Sequence, residues 1–146
     1  AKLDAARKNK KGFSLVELII VMAIMVALIA VLAPQFVKYV QRARDSSVSD
    51  AAENVYEMVK SEYALGNLTG TGTVTVQAGS SSAGGRIQVV NGGLTTAGDY
   101  GDNNFDAFVA NCGLDTKEVN SHVYYIITVG GTVTAPTFTM EKYTAA

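Results

Sequence analysis

The chain has 146 residues, enough for one domain, and twelve Lys and Arg nearly balance thirteen Asp and Glu. Its only cysteine, Cys112, excludes an intrachain disulfide and a zinc site built on paired cysteines. The first twelve residues carry a net charge of +4 and the remainder is acidic. Because there is no second basic cluster, we expect no specific nucleic-acid partner.

An apolar tract follows the basic segment. Twenty residues from Leu18 to Val37 carry no charge. At about 1.5 Å per residue, they suffice to span a bilayer of roughly 30 Å. The basic flank predicts a cytoplasmic N-terminus. A secretory signal peptide is the alternative, with Ala30 and Ala33 as small residues near a cleavage site, but its apolar region is usually only about 7–15 residues long.

Helical periodicity continues beyond the apolar tract. Apolar residues recur at three- and four-residue steps up to Tyr63, and charged residues lie between them. The pattern predicts one helix from Phe13 to about Leu65, apolar all round in its first half and amphipathic in its second. Gly66 and Asn67 can adopt the left-handed conformation that ends a helix. Pro34 lies inside the helix, and we expect it to kink the helix rather than end it.

The rest of the chain is rich in Gly, Thr, Val and Ser and predicts a small β-rich head. Strands are predicted at residues 73–77, 86–90, 122–129 and 132–143, with a flexible loop at residues 78–85. Gly130 and Gly131 predict a two-residue hairpin turn, and Pro136 makes the last strand an edge strand or a bulged one. A short helix is predicted around Phe105, capped by Asn104 and closed by Gly113.

The fold class expected is therefore α+β, with one long N-terminal helix packed on a small antiparallel sheet. The amphipathic half of the helix would cover one face of the sheet. The expected core of the head consists of Val74, Val76, Ile87, Val89, Phe105, Phe108, Val109, Ile126, Val129 and Phe138.

The junction between basic segment and apolar tract reads Lys11-Gly12-Phe13-Ser14-Leu15-Val16-Glu17. It resembles the class III leader and N-terminal helix of type IV pilins and pilin-like proteins, over Lys10 to about Phe36. The resemblance implies that a prepilin peptidase cleaves after Gly12 and N-methylates the new terminus at Phe13. Glu17 and Pro34 stand at the fifth and twenty-second positions after that cleavage, where the family has the same residues. It also implies the ladle-shaped pilin fold.

The resemblance divides the chain into a leader (1–12), a transmembrane and polymerisation helix (13–36), its amphipathic continuation (37–66) and a globular head (67–146). It implies a structural subunit that crosses the inner (cytoplasmic) membrane once as a precursor, with the N-terminus in the cytoplasm. An assembly platform and motor would then polymerise it into a homo-oligomeric helical filament for adhesion, motility or DNA uptake. Two alternatives stay open: a pseudopilin of a type II secretion or competence machine, and a single-pass anchor carrying a binding domain.

Glu17 needs a partner, since a charge at the bilayer centre costs about 2.5–3.5 kcal/mol on insertion scales. Cleavage would create an α-amino group at Phe13, and Glu17 lies about 6 Å further along a helix axis. An ion pair between Glu17 of one subunit and the Phe13 amine of another would neutralise both charges and guide docking. The alternative is a side chain that snorkels to the cytoplasmic interface.

Other residues carry weaker signals. Val26 stands where many Gram-negative relatives have glycine, and Cys112 lacks a partner for their C-terminal disulfide, which favours a Gram-positive or divergent pilin. Asp99 and Asp102 lie in a loop rich in the oxygen ligands of calcium, but an Asx-rich turn explains the loop, so we predict no metal and no cofactor. The segment 67–69 is a glycosylation sequon. We find no residue set for catalysis and expect no enzyme.

Overall fold

The structure is a computed structural model that describes residues 12–79, 86–114, 119, 121–132 and 134–145. The leader up to residue 11 and most of the predicted loop, residues 80–85, lie outside the described residues. The chain divides between Val40 and Gln41 into two compact units. The elements are α1 (Leu15–Ala64), β1 (Leu68–Thr69), β2 (Gly72–Ala78), β3 (Ile87–Gly92), β4 (Thr95–Thr96), a 3-10 turn (Gly98–Tyr100), α2 (Phe105–Asn111), β5 (Val123–Gly131) and β6 (Pro136–Thr144).

Helix α1 confirms the predicted long helix, and Pro34 lies inside it without ending it. Its C-terminal end is closed by backbone hydrogen bonds. The Gly66 N–H donates to the Tyr63 carbonyl at 3.2 Å and the Asn67 N–H to the Glu62 carbonyl at 2.9 Å. Gly66 has a φ of 80°. This pair of bonds around a left-handed glycine is the Schellman motif, which satisfies carbonyls that the last turn leaves unpaired.

The second half of α1 packs its apolar face on the sheet, as predicted. Its buried residues follow the helical spacing and include Val48, Val55 and Val59, each 0% exposed. They form one core with Val74 of β2 and Ile127 of β5. Full burial of such a side chain contributes about 1.5–3 kcal/mol, so this face holds the helix on the head.

The main sheet has four antiparallel strands in the order β3-β2-β5-β6. Pro136 is the first residue of the edge strand β6, which confirms the prediction, because proline has no N–H to donate to a second neighbour. A second, two-stranded ladder pairs Leu68 of β1 with Thr96 of β4. The sequence gives no signal for strands this short.

The predicted two-residue turn at Gly130 and Gly131 is wrong. Both glycines belong to β5, where they pair with Thr137 and Pro136. The chain reverses between Thr132 and Ala135, whose backbones exchange hydrogen bonds of 3.3 and 3.1 Å. Gly131 has a φ of 80°, and a Cβ there would collide with the Ala135 carbonyl oxygen. The two glycines therefore lie at the end of β5, where Gly131 provides the left-handed backbone conformation that leads into the turn.

The predicted core is largely confirmed, with one error on β5. Ile126 faces away from the core and its neighbour Ile127 is 0% exposed. The inward positions of β5 are Val123, Tyr125, Ile127 and Val129. Of the other predicted core residues, four are buried, namely Val74, Val76, Phe108 and Val129. The remaining five are partly buried against the core, namely Ile87, Val89, Phe105, Val109 and Phe138.

The predicted short helix is α2, but its predicted cap is wrong. Asn104 precedes the helix without a side-chain capping bond. Its backbone N–H donates instead to the Thr96 hydroxyl at 2.6 Å, which ties α2 to β4. Phe108 is 0% exposed, with its ring 5.2 Å from that of Phe105. Gly113 has a φ of 62° and follows the last turn, as expected.

Candidate processing and assembly site

The Gly12–Phe13 peptide bond lies outside regular structure and is accessible. Residues 12–14 precede α1. No heavy atom lies within 4 Å of the position that a Cβ on Gly12 would occupy. The Phe13 side chain is 89% exposed. Exposed, non-helical backbone of this kind is what a peptidase needs at its cleavage site.

Ser14 and Glu17 form a capping box at the start of α1. The Ser14 hydroxyl accepts from the Glu17 N–H at 3.2 Å, and the Glu17 carboxylate accepts from the Ser14 N–H at 3.2 Å. The two residues thereby satisfy two backbone donors reciprocally. The spacing Ser-x-x-Glu signals such a box, and the sequence reasoning missed it. Glu17 thus has a local function within one chain, since a cap and a carboxylate in the first turn each contribute about 1 kcal/mol or less to a surface helix.

The capping bond leaves most of the Glu17 carboxylate available. An ionised carboxylate has about four acceptor positions, and the Ser14 N–H occupies one. The Glu17 side chain is exposed and forms no ion pair within the part of the chain that the structure describes. It can therefore accept a second donor while it caps the helix. The structure holds one copy, so its pairing with the Phe13 amine of another copy stays a prediction.

The first half of α1 presents an apolar surface on every side. Each large apolar residue from Leu15 to Val37 is more than half exposed, Leu18 least at 51%. This apolar stretch has no buried residue, and by length and composition the helix can cross a membrane. Such a surface is stable only in lipid or against other apolar helices. Both Val26 and Pro34 lie within this segment.

A buried polar cluster, which the sequence reasoning missed, joins the end of α1 to the 3-10 turn. Asn67 is 7% exposed and Glu62 is 8% exposed. The Asn67 side-chain amide donates to the Glu62 carboxylate at 2.7 Å, and its Oδ1 accepts from the Asp99 N–H at 3.1 Å. This asparagine is the first residue of the glycosylation sequon. Its amide nitrogen is buried and bonded in the folded head, so it is closed to a glycan.

The other residues singled out in the head have ordinary structural surroundings. Asp99 lies within 3.4 Å of the Asn67 amide, and Asp102 is exposed. Within the described ranges, no three His, Cys, Asp or Glu side chains converge as metal ligands. Burial, and after it the nearby Glu62 charge, raises the pKa of Cys112 to about 11. The thiol is therefore protonated at neutral pH and behaves as a small apolar group.

The comparisons agree with the geometry at the N-terminus. A family model described as the prokaryotic N-terminal methylation motif matches residues 7–33, a range that includes Gly12, Phe13 and Glu17. Neither a search of curated proteins nor a search of solved structures finds a significant match. The chain thus has a long N-terminal helix packed on a small antiparallel sheet. Its residues 7–33, which include the start of that helix, carry the class III signal of type IV pilins.

Proposed function

We propose that this chain is the prepilin of a type IV pilus, a structural subunit that is cleaved after Gly12, N-methylated at Phe13 and polymerised into a cell-surface filament. The methylation motif supports a type IV pilin-like or pseudopilin precursor. The observation that carries the finer proposal is the position of Glu17. It lies in the first turn of a helix whose first half is apolar and exposed, shortly after the accessible Gly12–Phe13 bond.

Before assembly, the first half of α1 anchors the precursor in the cytoplasmic membrane. The basic residues ahead of Gly12 hold the N-terminus on the cytoplasmic side, and the head lies outside. This orientation places the Gly12–Phe13 bond at the cytoplasmic face, where a membrane prepilin peptidase reaches it. Cleavage removes the leader and creates an α-amino group next to the Ser14–Glu17 capping box.

During assembly, the apolar helices exchange lipid contacts for contacts with each other. Lipid already solvates hydrocarbon, so packing apolar helices together in a membrane gains little from the hydrophobic effect. A specific polar contact therefore decides where a new subunit docks. The free acceptor positions of Glu17 take the Phe13 amine of a neighbouring subunit, and the capping bond to Ser14 holds the carboxylate in place. An assembly platform and motor supply the work of extraction.

The intact mass of the protein recovered from its native cell surface tests the processing step. We expect a mass that lacks Ala1 to Gly12 and carries one added methyl group. A mass that retains the leader overturns the prepilin proposal and favours a plain membrane anchor. Substitution of Gly12 by valine provides the control, because a β-branched residue before the cleaved bond is expected to leave the leader attached.

Electron microscopy then separates a pilus from a pseudopilus. Long, abundant filaments support the proposal, and short fibres seen only on overexpression support a pseudopilin of a secretion or competence machine. The variant Glu17→Gln separates processing from assembly. We expect it to be cleaved and methylated like the native chain but to form few filaments, because an amide cannot neutralise the Phe13 amine.

A further inference from the structure

The second half of α1 carries opposite charges on the side that faces away from the sheet. Arg42, Asp50 and Glu53 are all exposed. At 3.6 residues per turn, the three lie within about 80° of one another around the helix. The buried residues Val48 and Val55 lie on the opposite side, against the sheet. The charged side is thus a helix face that the head leaves uncovered.

Among the residues that the structure describes, these charges have no ion-pair partner in their own copy. Within the described part of the chain, the ion pair found is Lys60–Glu57 at 2.8 Å, and Arg42, Asp50 and Glu53 take part in none. They cannot pair with one another, because only side chains three or four residues apart meet on a helix. Asp50 lies about 12 Å and Glu53 about 16 Å along the axis from Arg42.

We propose that this face docks a second copy of the chain, parallel to the first and shifted by about 12 Å along the helix axis. Asp50 and Glu53 of one copy then lie beside Arg42 of the next. The proposal rests on the proposed filament and deepens it, since it names the surface that sets the register between subunits outside the apolar segment.

The contact between Glu17 and the Phe13 amine runs in the same direction along α1. Along a helix axis, Glu17 lies about 6 Å beyond Phe13. In both contacts, the higher-numbered carboxylate of one copy meets the lower-numbered cation of the next.

Charge reversal with a compensating swap tests the contact on filaments sheared from cells that express the full chain. We expect Arg42→Glu alone, and Asp50→Arg with Glu53→Arg, each to lower filament yield at least about fivefold, since one exposed ion pair changes an equilibrium constant about two- to fivefold and reversal adds repulsion. All three substitutions together restore the yield. Asp106→Arg, on the exposed surface of α2, is the matched control and leaves the yield unchanged.

Cross-linking measures the shift directly and keeps the proposed ion pairs intact. In a Cys112→Ser background, cysteines replace Ser46 and Asn54, which are exposed, uncharged and about 12 Å apart along α1, and filaments are treated with a short bismaleimide. We expect a ladder of multimers. A second pair, Ser46→Cys with Ala64→Cys, is also exposed but needs a shift of about 27 Å, and we expect no ladder from it. Ser46→Cys alone is the control for contacts without any shift.

The outcomes separate this proposal from the function on which it rests. If the triple variant does not recover filament yield, or if both cysteine pairs give equal ladders, the proposed register is wrong. The pilin function still stands in that case, provided that the native chain forms filaments. A native chain that keeps its leader and forms no filament overturns the function itself. Recovery by the triple variant, together with a ladder from the Ser46–Asn54 cysteine pair alone, supports both.

Discussion

Replacement of Asn67 by alanine is expected to destabilise the head far more than the small number of side-chain atoms removed suggests. The Asn67 side chain is the only link described between the Glu62 carboxylate and the Asp99 backbone, through bonds of 2.7 and 3.1 Å. Alanine removes both bonds, as well as the longer bond of 3.4 Å from the amide to the Asp99 carboxylate. It leaves the buried Glu62 carboxylate without its amide donor.

The magnitude follows from the kind of bond lost. A hydrogen bond to a charged group contributes about 1.5–3 kcal/mol and a neutral one about 1 kcal/mol, so the loss is about 3 kcal/mol. That is a large fraction of the roughly 5–15 kcal/mol that stabilises a typical domain. Each kcal/mol shifts the melting temperature of a small domain by about 4–8 °C, so Asn67→Ala is expected to melt about 12–24 °C lower.

Thermal unfolding of the full chain in detergent micelles, followed by near-ultraviolet circular dichroism of the tyrosines, measures this shift. Asn54→Ala is the matched control, because Asn54 is exposed on α1, and we expect its stability to stay within about 0.5 kcal/mol of the native value. The variant Glu62→Gln keeps an acceptor but removes the charge. Two results would refute the argument from an unpaired carboxylate. One is a loss of melting temperature from Asn67→Ala that is as large in the Glu62→Gln background as in the native chain. The other is a melting temperature of Asn67→Ala equal to that of Asn54→Ala.

Three further predictions concern the head. Burial raises the pKa of Cys112 from its ordinary 9.0 to about 11, so the contribution of the thiol to stability is complete below pH 9 and is lost as the pH rises through 11. Across this range, the melting temperature of Cys112→Ala should fall less than that of the native chain. Parallel curves of melting temperature against pH would contradict the pKa shift. Phe108→Ala removes a ring that is 0% exposed and should cost about 3–5 kcal/mol in urea unfolding, against under 1 kcal/mol for the partly buried Val109→Ile. Gly66→Ala forces alanine to a φ of 80° in open space, so the loss of about 1–2 kcal/mol measures backbone strain alone, and an unchanged unfolding midpoint would refute it.

The long-range plan of the molecule was predictable because it depends on periodicity. The change from an all-apolar to an amphipathic pattern locates both halves of α1, and the glycine at position 66 marks its end. Pro136 identified an edge strand because its missing N–H restricts it to few positions in a sheet. At the N-terminus, the order of Gly12, Phe13 and Glu17 before the apolar tract was enough to indicate the class III signal.

The errors arose where the outcome depends on contacts distant in sequence. Ile126 and Ile127 are adjacent and equally apolar, and only the pairing of β5 with β2 decides which one faces α1. Asn104 makes no capping bond with its side chain, and its backbone N–H donates to the Thr96 hydroxyl, eight residues earlier. The Asn67 cluster joins residues 32 positions apart, and no local pattern marks it. The proposed pairing of Glu17 between subunits would be a property of the assembly, so a single chain cannot display it.

The strand order has a consequence for how the head folds during synthesis. The hairpins β2–β3 and β5–β6 are local, but the sheet is completed only when Gly72 of β2 pairs with Val129 of β5. Closing so long a loop is the entropically expensive step, and it must precede most of the contacts that repay it. Because a chain is synthesised from its N-terminus, α1 and the first hairpin exist before β5 does. The apolar face of α1 therefore stays incompletely covered until β5 supplies its part of the core, and a chain truncated before β5 is expected to have no stable head.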